Sequence, residues 1–275
     1  MLAVAAWTNL PYYLVAQASM AHAVGFFTVT ASLHACVRLC ARGTGKWAVA
    51  FGLFCGLSFL TRPQLAIGSA LMFAYLAANG VPWRRLVLSA CVCASVALIQ
   101  LAVWYVLFGH WFVLPQGRGF LRFSDPQLWE VLFSRRHGLF LWHPFYLVAT
   151  AGLLLPGMPT RLRWLSALVL AAQSYLNACV SDWWAGNAFG GRRFIDVLPF
   201  FSLGFAAVVQ RVARWSPQPS RVLGVFLLLA VWNLLFVIQY RFGYIPRGQA
   251  ITWQQLVTDK LRLLGFGHSP PRDYR

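Results

Sequence analysis

Long apolar runs without a single charge alternate along this chain with short clusters of arginine, glycine and tryptophan. Met1–Val37 is charge-free, and so are Leu86–Gly117, Leu139–Thr160, Trp164–Ser181, Val197–Gln210 and Val222–Tyr240. As helices rising about 1.5 Å per residue, runs near 20 residues cross about 30 Å of hydrocarbon. The pattern predicts an all-α, polytopic transmembrane protein of about eight spans. They fall at Met20–Val37, Trp47–Thr61, Pro63–Asn79, Leu86–Phe108, Leu139–Leu155, Trp164–Ser181, Phe194–Val212 and Val222–Tyr240. Trp47–Asn79 would run about 50 Å as one helix. Arg62-Pro63 divides it, because proline disfavours helix at the residue before it. Gly52-x-x-x-Gly56 in the first half of that hairpin permits close helix packing.

The ends of the chain read differently. Met1–Ala18, interrupted by Pro11, is either an interfacial helix or the remnant of an earlier span. It lacks the basic start and cleavage site of a signal peptide. Residues 1–241 form the expected transmembrane domain. Residues 242–275 hold an amphipathic stretch, Trp253–Leu264, expected to lie at the interface, and then a tail with Pro270-Pro271.

Composition agrees with this division. The 275 residues are 59% hydrophobic and 11% charged, too few charges to cover a soluble domain, which averages about 25%. Threading the spans puts Arg38, Arg42, Lys46, Arg84, Arg85, Arg161, Arg163, Arg211, Arg214 and Arg221 on one face with no acid, the cytoplasmic signature. The opposite face receives all six acids, Asp125, Glu130, Asp182, Asp196, Asp259 and Asp273. It also receives Arg62, Arg118, Arg122, Arg135, Arg136, Arg192 and Arg193. That excess of arginine on an outer face calls for an anionic partner, and a lipid-linked phosphate is the simplest. Nucleic acid is excluded as a partner because no basic patch lies on a soluble domain. The cysteines fall within spans or, for Cys40, just past the end of one, with no disulfide framework and no zinc spacing.

The densest chemistry lies in Asp182-Trp-Trp-Ala-Gly-Asn-Ala-Phe-Gly-Gly-Arg-Arg193. Arg192 and Arg193 offer planar donor forks for phosphate oxygens. Gly186, Gly190 and Gly191 let backbone N–H groups approach an anion. Trp183 and Trp184 offer flat faces to a sugar or lipid, and Asp182 a carboxylate. The competing reading is an interfacial loop in which Trp and Arg only anchor helix ends. A second outward loop, Gly109–Gly138, contains a short surface helix at Leu128–Phe133 and ends in Arg135, Arg136 and His137, a further potential phosphate clamp. Snorkelling side chains would explain those residues equally well. His143, before Pro144, reads as structural. So does His22, which has no carboxylate in its sequence neighbourhood. Arg62 and Gln64 flank Pro63 at the outer tip of the hairpin, where they could reach a shared cavity.

Four stretches in this order resemble the GT-C superfamily of membrane glycosyltransferases, in the bacterial branch related to protein O-mannosyltransferases. They are Gln17–Ala23, Gly56–Gln64, Phe133–Pro144, and Asp182–Phe194 leading to Leu198-Pro199. The resemblance implies transfer of a sugar from a polyprenyl-phosphate carrier to an acceptor outside the bacterial cytoplasmic membrane, with membrane lipid around the site. It implies that Arg136, His137, Arg192, Arg193 and Arg62 hold the donor phosphate, while Trp183, Trp184, Gly190 and Gly191 contact sugar or lipid. Asp182 would orient a hydroxyl or accept its proton. No cofactor is identified, and no metal ligands; the family leaves room for a divalent metal in a full-length enzyme. The family's acidic residue lies in the first outer loop, whereas the first 124 residues here contain no Asp or Glu. The expectation is a chain lacking its N-terminal part, able to bind donor lipid and inactive as a fragment. Two alternatives remain open: a noncatalytic membrane subunit, and a transporter or lipid-handling protein gripping an anionic headgroup. Few polar groups at mid-span and no visible repeat weigh against transport.

Overall fold

In the computed structural model, the described residues are 4, 6–114, 116–117, 119–215 and 219–265, without the side chains of 219–223 and 225. Arg118, Asp273, Pro270-Pro271 and the Arg221 side chain, all used above, lie outside them. The helices are α1 (Leu10–Val15), α2 (His22–Arg42), α3 (Gly45–Thr61), α4 (Ala66–Ala78), α5 (Trp83–Phe108) and α6 (Leu128–Phe133). They continue as α7 (Leu139–Trp142), α8 (Pro144–Gly152), α9 (Thr160–Cys179), α10 (Leu198–Trp215), α11 (Pro219–Arg241) and α12 (Asp259–Leu263). No strand occurs among the described residues, only one antiparallel bridge between Leu121 and Val180.

The protein is all-helical, and three segments are long and apolar enough to cross a membrane: His22–Arg42, Trp83–Phe108 and Arg192–Trp215. Shorter apolar helices are Gly45–Thr61, Pro63–Ala78 and Phe226–Arg241. Helix α5 buries only Ser89 and Trp104, while Leu98, Ile99, Val106 and Leu107 are exposed. Water would penalise an apolar face of that extent, so membrane association follows.

Sequence chemistry sets the helix boundaries. Before Pro63, Arg62 is extended (φ −155°, ψ 109°), which ends α3 and sends the chain through a 3-10 turn into α4. His143, before Pro144, is likewise non-helical and splits the expected Leu139–Leu155 span into α7 and α8. Gly52 lies against the Ser89 backbone, and Gly56 against Cys93 and Val96, so a Cβ at either position would overlap α5. The Ser89 hydroxyl donates to Ala48 O at 2.9 Å across the same seam.

Connections at the two ends of the bundle differ in kind. At the basic end they are short, and Arg161 donates to Asn79 Oδ1 at 3.2 Å, tying the start of α9 to the end of α4. At the opposite end the Arg62–Leu65 turn is short, but the loops before α6 and before α10 are long and knit together. Arg122 N–H donates to Cys179 O at 2.6 Å, and Ser181 N–H to Phe120 O at 2.8 Å.

The described residues nearest each terminus pack more deeply than their composition suggests. Thr8, Asn9, Leu10 and Tyr13 are buried. The Asn233 amide of α11 donates to Ala6 O at 3.0 Å and Thr8 O at 2.7 Å. The described part of the N-terminal stretch is therefore a plug in the bundle rather than an interfacial helix. Near the other terminus, Gln254–Thr258 forms one π-helical turn running into α12. Lys260 is buried there, its Nζ 4.4 Å from the centre of the Trp232 ring and donating to Leu256 O at 3.0 Å. Burial pushes that amine down to about 5. The amphipathic stretch thus packs its one mid-helix lysine inward.

Candidate functional site

Two arginine–aspartate pairs organise the end where the long loops meet. Asp196 sits in the 3-10 turn Arg192–Val197 and is fully buried. Its Oδ2 accepts a short hydrogen bond from Arg62 Nη1. The same Nη1 lies 2.9 Å from His22 Nδ1. A guanidinium can only donate, so Nδ1 is the acceptor and the ring proton of His22 sits on Nε2. Asp196 Oδ1 is 3.6 Å from His22 Nδ1 and takes no hydrogen bond. The start of α2, the end of α3 and the turn before α10 are thereby locked together. Gly25, one helical turn after His22, makes room, because a Cβ there would overlap the carboxylate.

The second pair is local. Arg193 Nη2 donates to Asp182 Oδ1 at 2.6 Å and Nη1 to Asp182 O at 3.0 Å. Here the arginine is buried and the acid open: the side chains are 11% and 38% exposed. Gln173 Nε2 donates to Arg193 O at 2.9 Å and fixes the arginine's backbone.

The loop between these residues is nailed down from beneath. Phe189 N–H donates to the Tyr13 hydroxyl at 2.8 Å, and that hydroxyl donates to Phe189 O at 3.1 Å. The Tyr240 hydroxyl donates to Asn187 O at 2.7 Å. Gly190 is left-handed (φ 64°), and a Cβ there would overlap the His143 ring. Gly191 packs against Leu139 and Phe194.

The remaining predicted residues surround this loop. Arg136 lies over the Trp184 ring, 3.8 Å from its centre, and Trp183 meets Trp184 edge to face at 5.6 Å. Arg135 reaches toward Trp253 instead, 5.8 Å from the ring centre. His137 is buried against Trp142, ring centres 4.7 Å apart, and burial pushes its imidazole down to about 4. Arg192 is half-buried, and among the described residues its side chain donates only to Met20 Sδ, at 3.1 Å, and makes no ion pair.

The site residues named from sequence therefore gather at one end but divide by availability. Arg192 and Arg136 keep donors free of carboxylates. Arg62 and Arg193 are held by Asp196 and Asp182. His137 is sealed in the core, held neutral, and cannot act as a cation there at neutral pH. The cavity beside Trp183, Trp184 and Arg193 is about 10 Å³, room for a water at most. The sequence alone shows Asp196 only as an outer-face acid and His22 as a histidine with no nearby carboxylate. Asp196 supplies that partner from a distant turn. The available signal was a lone acid between apolar residues at the head of a span, since such an acid must find a partner.

Among the described residues no group of three His, Cys, Asp or Glu side chains could hold a metal ion. Asp182 stands beside the Arg193 guanidinium rather than beside other metal-ligating groups. No protein-family model matches the chain, and no curated protein or solved structure matches it.

Proposed function

We propose that the protein is a membrane glycosyltransferase of GT-C type, with eight crossings, that receives a polyprenyl-phosphate-linked sugar at the end formed by the Asp182–Arg193 loop. One observation supports this most. The four stretches that carry the resemblance begin at positions 17, 56, 133 and 182, yet they meet through His22, Arg62, Arg136, His143 and the 182–196 segment. In this reading Arg192 and Arg136 neutralise the phosphate. Trp183 and Trp184 flank the sugar. The acceptor hydroxyl attacks the anomeric carbon, the bond from that carbon to the phosphate oxygen breaks, and the lipid phosphate leaves with the electron pair. Asp182, whose Oδ2 is not engaged by Arg193, takes the hydroxyl proton.

A second reading, a noncatalytic lipid-binding subunit, is favoured by the 10 Å³ cavity at the tryptophan pair, which admits no sugar without movement. One experiment separates them: the purified protein in proteoliposomes is given radiolabelled polyprenyl-phosphate hexose. Arg192→Ala with Arg136→Ala is expected to lower binding at least tenfold, while Arg161→Ala at the other end leaves it intact. Equal binding by all variants removes the phosphate assignment. Binding without transfer to any hydroxyl acceptor selects the second reading.

A further inference from the structure

A cavity of about 560 Å³ runs between the N-terminal plug and α11, apart from the site above. Its walls are Pro11, Tyr12 and Val15 on one side and Leu227, Ala230 and Leu234 on the other. The α11 wall continues at three- and four-residue spacing to Arg241, a stripe about 21 Å long, longer than one leaflet's share of a hydrocarbon core of about 30 Å. It is open along its length: Leu227 and Leu234 are more than half exposed. The groove is a permanent feature rather than a loose seam, because Asn233 clamps Ala6 and Thr8 onto α11.

Its charge lies at one end only. Arg241 ends α11 as part of the groove lining, and Arg247 folds back over Tyr240, 5.5 Å from the ring centre. Tyr12 and Tyr240 meet edge to face at 5.6 Å and bring the two walls together at that end. Both arginines are exposed, and neither has an ion pair among the described residues. An apolar trough ending in two unneutralised guanidinium groups is complementary to one class of molecule, an acyl chain carrying an anionic phosphate.

We infer that this groove is a binding site for an anionic phospholipid of the surrounding bilayer, with its tail along α11 and its phosphate between Arg241 and Arg247. Arginine suits the headgroup because its fork meets two phosphate oxygens at once. The site uses neither Arg192 nor Arg136, so it does not depend on the transferase reading.

The test is photolabelling of the whole protein in nanodiscs, with phosphatidic acid or phosphatidylcholine bearing the same diazirine tail. Phosphatidic acid is expected to label the segments lining the groove, with phosphatidylcholine labelling them far less. Arg241→Gln with Arg247→Gln should reduce the phosphatidic acid signal about thirtyfold, as loss of two cationic contacts near a membrane surface implies. Ala230→Trp, which fills the trough, should abolish it while leaving α5 labelled as an internal control. Arg192→Ala should leave it unchanged even where donor binding is lost. Equal labelling by both lipids, with no effect of the arginine variants, would reduce the groove to ordinary lipid contact. Leu234→Cys cross-linking between copies, with labelling absent, would show a second chain occupying it. Either result overturns the inference.

Discussion

The Asp196–Arg62 and Asp182–Arg193 pairs are made of the same two residue types, at the same end of the bundle, with opposite sides open. In the first the acid is fully buried and its arginine 17% exposed; in the second the acid is 38% exposed and its arginine 11%. The first joins positions 134 apart in sequence and the second positions 11 apart. A sealed carboxylate cannot reach a ligand, so its energy goes into holding three helix ends in register. An open carboxylate oriented by a sealed guanidinium keeps an oxygen facing outward. The first pair is therefore scaffold, and the second is where acid chemistry can occur.

Breaking the sealed pair is the strongest test of that division. Asp196→Ala strands a guanidinium, and Arg62→Ala strands a buried carboxylate; each is expected to cost about 3–5 kcal/mol. Replacing both with apolar residues, as in Asp196→Leu with Arg62→Met, should cost less than the sum, because no unpaired charge remains. Thermal unfolding in detergent measures all three. If each single variant shifts stability by under about 1 kcal/mol, the pair is not the lock described.

The next effect comes from His137, beneath the open pair's loop. Its folded value of about 4 lies below the ordinary histidine value of about 6.5, so the folded chain holds fewer protons between those limits. Stability is full above about pH 6.5 and falls as pH drops toward 4, by about 3 kcal/mol in all. Lys260, pushed down to about 5, adds its own slope in the same direction below its ordinary value. His137→Asn isolates the histidine's share, since asparagine tolerates the left-handed backbone there (φ 63°). Unfolding of this variant between pH 4 and 7 should be flatter than that of the parent. Identical pH profiles would place His137 in water rather than in the core.

Local signals in the sequence carried much of this architecture and little of the site's wiring. Pro63 marks a break in its apolar run, and the run does break there, whereas the run expected to continue through Pro144 also breaks, because proline disfavours helix at His143. Leu128–Phe133 is the short helix that its flanking breakers suggested. The Gly52 and Gly56 spacing meets a neighbouring backbone, as close packing requires. The plug at Thr8–Tyr13 was not legible, because its burial depends on Asn233 and Tyr146, more than a hundred residues away. Pairing was illegible for the same reason. Four arginines were read as equivalent phosphate contacts, yet which of them faces a carboxylate depends on side-chain direction in three dimensions. Periodicity gives the faces of helices, and it says nothing of which charge on one loop meets which on another.

The smallest expected change in stability carries the greatest functional weight. Asp182→Asn removes the charge from a pair whose acid is more than a third exposed, and such pairs contribute about 1 kcal/mol or less. Its side-chain oxygen can still accept from Arg193, so the loop should keep its shape and unfold at nearly the parent temperature. On the proposed transferase reading, sugar transfer in the proteoliposome assay should nonetheless disappear, with donor binding retained, because the amide cannot take up a proton. Arg193→Ala gives the complementary result on the same reading: Asp182 keeps its carboxylate but loses its orienting partner, so transfer falls without disappearing. Full activity in Asp182→Asn would leave the open acid without a chemical role and would make the two pairs alike, both structural.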